Sequence, residues 1–143
     1  MGSARRSLTR HGESKLEKAV IAVAGILVAT FSGPISAQTP PPFQIGDMGR
    51  ADGSPVPGHL PTGDHTKGTT FDVRPMRKDG QMLGVRWQDP AYDRELTQRL
   101  VDTFLNTGGV TRIIFNDPQI RGVIPYRGFD DHLHITVDPN YKR

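Results

Sequence analysis

The chain of 143 residues contains no cysteine. That excludes a disulfide framework, thiolate metal sites and a cysteine nucleophile at once. Any metal site must draw on His, Asp, Glu and water, and the fold must rest on its core, helped by a bound ion if there is one. Net charge is also lacking once it is located. The formal +3 arises in residues 1–37, and the rest of the chain carries 13 basic and 13 acidic side chains. A neutral domain has no electrostatic footprint for nucleic acid. There is no serine-nucleophile motif, no phosphate-cradling glycine loop and no internal repeat. The one marked apolar run, Ala19 to Phe31, is short for a membrane span.

That run follows the basic stretch Arg5 to Lys18 and precedes Ser32-Gly33-Pro34 and the small-residue site Ile35-Ser36-Ala37. Residues 1–37 therefore read as a secretory signal peptide, cleaved before Gln38. An uncleaved anchor is the alternative. Cleavage implies an exported protein, periplasmic or secreted, with no membrane contact afterwards.

Glycine (16) and proline (12) are plentiful, so much of the chain should be loop and turn. Residues 38–64 are rich in both, lack periodicity, and read as an extended arm over a domain formed by residues 65–143. Thr69 to Met76 alternates, with Phe71 and Val73 on one face and Thr70, Asp72 and Arg74 on the other, as in a half-buried strand. Met82 to Trp87 reads as a second, shorter strand. Asp89-Pro90 has the form of a helix start. Apolar residues from Tyr92 to Leu105 then recur at helical spacing, and Asn106 to Gly109 supplies the stop. Arg112 to Asn116 and His132 to Val137 read as strands. The expected architecture is α+β: a small, mostly antiparallel sheet with one main helix across it.

After residue 37 there are only four histidines: His59, His65, His132 and His134. Strand alternation puts His132 and His134 on one face, directly after Asp130 and Asp131. A carboxylate there can fix an imidazole tautomer. Alone, a His-x-His pair is more simply explained as the wet face of an exposed strand. His65 and Asp72 change the balance, because a loop His and a strand Asp can converge on one ion with a histidine of the pair. Three N/O ligands plus water is the composition of an open catalytic zinc site. Asp64 can orient His65 or simply shape a turn. Arg74, on the same strand face as Asp72, could bind a substrate carboxylate or be an ordinary solvated arginine. Trp87 and Tyr126 could line a peptide groove, although aromatics are more often core.

His65-Thr66-Lys67-Gly68 with Asp72, and Asp131-His132-Leu133-His134, resemble the His-x-x-Gly-x-x-x-Asp and closing His-x-His motifs of the lysostaphin, D-Ala-D-Ala peptidase and Sonic hedgehog superfamily. FDVRPMRKDG, FNDPQI and GFDDHLHI are similar in particular to the penicillin-insensitive murein endopeptidases. The resemblance runs from about Pro61 to Val137. It implies a hedgehog/DD-peptidase-like fold and Zn2+ held by His65, Asp72 and His134. It makes His132 the proton-handling or transition-state-stabilising group beside the ion, and Asp131 the matching active-site acid. Gly68 would allow a tight turn after His65. Phe129 stands where the murein endopeptidases carry another histidine, and Thr62 and Asp64 replace the His and Ser that often precede the ligand histidine. The implied activity is metal-assisted hydrolysis of peptide bonds in peptidoglycan, an extracytoplasmic substrate. Two rivals remain: a metal-containing wall-binding or regulatory module without catalysis, and a structural domain with no metal.

Overall fold

The computed structural model describes residues 43–50, 54–57 and 65–142. The expected leader, residues 1–37, lies outside them, as do His59, Thr62 and Asp64. The alternating segment after Thr69 forms an inner strand because both of its edges find partners. We label the elements β1 (Ile45–Met48), β2 (Thr70–Val73), α1 (Arg94–Asn106), β3 (Val110–Ile114) and β4 (Leu133–Val137). The four strands make one antiparallel sheet in the order β1-β2-β4-β3. An isolated parallel bridge, Ile114 to Ile124, lies beside β3. Among the described residues, the α+β expectation of a small antiparallel sheet with one helix is thus met.

Alternation sorts the sheet into two faces. Phe71, Val73, Ile113, Leu133 and Ile135 are fully buried on one. Helix α1 covers that face with Leu100, Val101 and Phe104, and the Phe104 ring meets Phe71 edge-on at 5.8 Å between centroids. Thr97 ties the helix to the chain beyond β2: its hydroxyl accepts from Met76 N at 3.0 Å and donates to Asp93 O at 2.7 Å. The opposite sheet face carries Thr70, Asp72, Arg112, Ile114, His134 and Thr136. Among the described residues, no helix is long and apolar enough to cross a membrane.

Several elements differ from expectation, and the strand read over Thr69 to Met76 spans only Thr70–Val73. The stretch read as an unpatterned arm contributes β1, paired along β2 with a register irregularity. Its short, half-exposed edge position and glycine content leave little alternation to detect. Met82 to Trp87 is not a strand. Only Val85 of this segment is fully buried, while Met82 and Leu83 stand exposed. The helix is capped by Asp93, whose side chain accepts from Leu96 N at 2.9 Å, and not by Asp89. Asp89 instead closes a tight turn by accepting from Arg86 N at 2.7 Å. Finally, β4 begins at Leu133, one residue after His132, and β3 ends at Ile114, two residues before Asn116.

Candidate metal centre

Asp72 and His134 are direct cross-strand partners on β2 and β4. Opposed residues carry their Cβ atoms about 4.5–5.5 Å apart on the same face, so the pairing alone aims the carboxylate and the imidazole at one point. His65 arrives from the loop before β2. Its carbonyl accepts from Gly68 N at 3.1 Å, closing a turn in which Gly68 adopts φ +65°. A left-handed residue at that point favours glycine, as the sequence suggested. A second glycine makes the approach possible. A Cβ at Gly49 would lie 2.2 Å from His65 O and 2.9 Å from Gly68 Cα. The chain leaving β1 therefore crosses the His65 turn at backbone distance, which only glycine permits.

His65 Nε2 lies 3.1 Å from His134 Nδ1 and 3.4 Å from Asp72 Oδ1, and His134 Nδ1 lies 2.9 Å from Asp72 Oδ1. All three residues are buried, at 3%, 6% and 9% exposure for His65, Asp72 and His134. Two ligand atoms bound tetrahedrally to one zinc-sized ion stand about 3.3 Å apart, so the triangle already has the spacing of three ligands. Its chemistry agrees. A carboxylate oxygen only accepts, and of two facing ring nitrogens at most one donates to the other. With both rings deprotonated at these atoms, three lone pairs converge, and a cation satisfies them. The group could therefore hold a metal ion. Without an ion, burial raises the Asp72 pKa, but ring N–H groups of His134 and His65 donating to its carboxylate, and the positive potential of His65 and His132, outweigh it. The carboxyl is held well below the usual carboxylate range.

His132 is not part of this triangle. Its Nδ1 is 2.8 Å from Asp131 Oδ1, and its side chain is 30% exposed. Phe129 packs against both histidines of the pair, with ring centroids 4.9 Å from His132 and 5.5 Å from His134. Of the two acids before the pair, Asp131 partners the imidazole. Asp130 braces the loop by accepting from Asn116 Nδ2 at 2.8 Å and Trp87 Nε1 at 3.2 Å, which lowers its pKa. Trp87 is thereby committed to structure. Tyr126 remains 66% exposed, edge-on to Phe129 at 5.9 Å. Arg74 lies just past the end of β2, its guanidinium against Gly84 and lining a cavity with Gln44.

Sequence patterning brought together His65, Asp72 and one histidine of the pair, while the choice of His134 as the third residue and of Asp131 as the acid beside His132 came with the family resemblance. It missed Gly49, whose role depends on a tertiary crossing. It also did not anticipate the packing of Phe129 on both rings, for which a Phe three residues before His132 was the available signal. No family model and no curated protein matches the chain.

Proposed function

We propose that the chain is an exported zinc metallopeptidase, hedgehog/DD-peptidase-like in fold, that hydrolyses peptide bonds in peptidoglycan. The observation carrying this reading is the buried His65–Asp72–His134 triangle with the Asp131–His132 pair standing apart from it. Three N/O ligands suit zinc, and leaving His132 out keeps a coordination position open, as catalysis requires. A zinc ion bound there supplies Lewis acidity and makes a hydroxide nucleophile accessible near neutral pH. His132 accepts or donates the proton, and Asp131 on Nδ1 presents Nε2 for that task. Burial of His65 and Asp72 limits competing water around the ligands. Removal of the leader near Gln38 places the protein with its substrate, and N-terminal sequencing of the exported form checks that step.

A second reading keeps the metal and drops catalysis, leaving a wall-binding or regulatory module. It is favoured by Phe129, an apolar ring on both His132 and His134 where the murein endopeptidases carry a histidine. Digestion of defined muropeptides, followed by mass spectrometry, separates the two. The peptidase reading expects new chelator-sensitive cleavage products, whereas intact muropeptides together with retained wall binding support the module.

A further inference from the structure

The row of residues that carries Asp72 and His134 continues beyond them across the sheet. Register pairs Asp72 with His134, His134 with Ile114, and Ile114 with Ile124 through the isolated parallel bridge. Paired residues share a sheet face, so Ile114 and Ile124 extend the candidate metal face sideways, while their neighbours Phe115 and Val123 turn to the core. Ile114 is half-buried and Ile124 is 55% exposed. Tyr126 lies on the same side, since its ring meets Phe129, which in turn touches both His132 and His134. Single exposed apolar side chains are ordinary, but these stand on a fixed backbone. Ile124 N donates to Ile113 O at 2.9 Å, and Ile124 O accepts from Phe115 N at 3.1 Å. Tyr126 N donates to Asn116 Oδ1 at 2.8 Å, and Tyr126 O accepts from Phe129 N at 3.2 Å. The other end of the Asn116 amide donates to Asp130 at 2.8 Å. One side chain thus ties the Tyr126 backbone to the loop that carries Asp131 and His132.

We propose that Ile114, Ile124 and Tyr126 are specificity-determining residues, the floor of a subsite that holds an aliphatic side chain of the peptide substrate. The proposal rests on the peptidase reading and narrows its substrate class. Apart from the Tyr126 hydroxyl, the three side chains offer no polar group. A polar side chain laid on them loses hydration without gaining a partner, whereas an aliphatic one gains by leaving water. A ring already held in place loses little freedom when covered, so little of that gain is offset by ordering. Distance sets where the side chain falls. Neighbouring strands are about 4.8 Å apart, so Ile124, two strands from His134, stands about 10 Å from it. An extended peptide crosses that gap in about three residues. The aliphatic side chain therefore sits two or three residues from the bond presented to the candidate metal centre.

The test is equilibrium binding to the full chain stripped of metal, so that no turnover is involved. N-acetyl tripeptide amides with two alanines and one leucine, the leucine first or last and in L or D form, are titrated calorimetrically. Each is compared with its asparagine counterpart, which has nearly the same shape but is polar. At least one leucine peptide should bind at least fivefold more tightly than its counterpart and shift the Ile124 methyl signal in a methyl-labelled sample. Tyr126→Ala and Ile124→Ser should each weaken leucine binding by about three- to tenfold, the scale of one partly covered apolar side chain. Tyr126→Phe, which keeps the ring, should leave it unchanged. Both positions are exposed, so these variants should fold. Equal binding of leucine and asparagine peptides, no binding of either at millimolar concentration, or binding indifferent to both Tyr126→Ala and Ile124→Ser overturns the proposal. So does a chito-oligosaccharide that displaces the leucine peptide, since it assigns the floor to a sugar. Leucine-selective, Tyr126-dependent binding by a protein that takes up no zinc and cleaves nothing retires the peptidase reading and leaves the subsite. Zinc-dependent muropeptide cleavage indifferent to Tyr126→Ala and Ile124→Ser does the reverse.

Discussion

His65 reaches Asp72 and His134 only because Gly49 lets another strand of backbone pass over its turn. Gly49→Ala would force a Cβ into His65 O at 2.2 Å, and backbone cannot yield as a flexible side chain does. The variant should fold with its core intact yet bind metal at least tenfold more weakly, as seen by competition with a chromogenic chelator. Unchanged affinity would mean that the turn does not position His65. Asp72 has a different signature. Its carboxyl is held below the ordinary range, so the stability it contributes is present in full above the unfolded pKa near 4 and is lost as pH falls toward the folded value. Urea midpoints of the metal-free protein should drop from about pH 4 downward, and Asp72→Asn should flatten that drop. An equally steep profile in the variant would assign the acid sensitivity elsewhere.

The elements show where sequence patterning was enough and where it was not. The apolar residues of α1 recur at helical spacing and meet a sheet face that alternates, so helix and inner strands were legible. The helix start was not, because Asp89 and Asp93 are both good caps by composition. The choice fell to Asp93 once Asp89 was occupied in its turn with Arg86 and Tyr92 had bridged to Arg77. Asp93→Ala removes the bond to Leu96 N and should cost about 1 kcal/mol. For a domain of this size, that lowers the melting temperature by roughly 4–8 °C, readable by circular dichroism. Asp89→Ala should leave the start of the helix unchanged. The segment from Met82 to Trp87 failed as a strand for want of a neighbour. Trp87 N is satisfied by Asp130 O at 3.0 Å and Gly84 O by Arg77, contacts that no periodicity encodes.

Over the whole molecule, the candidate metal face depends on sequence-distant pairing. Asp72 and His134 lie 62 positions apart, and His65 and His134 lie 69 apart. Each ligand type was readable in its local motif, and their convergence follows from β2 pairing with β4 in the register Asp72↔His134. A one-residue slip would turn one of the two toward the helix-covered core. The apolar face of the same strands opposes that slip, since it would expose Phe71 or Leu133. Fold specificity and site assembly thus draw on the same alternation.

Which histidines hold metal decides the proposed mechanism. The decisive measurement is the zinc content of the purified full chain and its single-alanine variants by atomic emission, paired with muropeptide turnover. About one zinc per chain is expected for wild type. His65→Ala, Asp72→Ala and His134→Ala should lose the metal and any activity together. His132→Ala should keep near-stoichiometric zinc while turnover falls by about two to four orders of magnitude, the scale of a general acid–base residue. Full zinc retained in both His65→Ala and His134→Ala would contradict the site itself, and loss of zinc in His132→Ala as complete as in His134→Ala would contradict the separation of ligand from acid–base group.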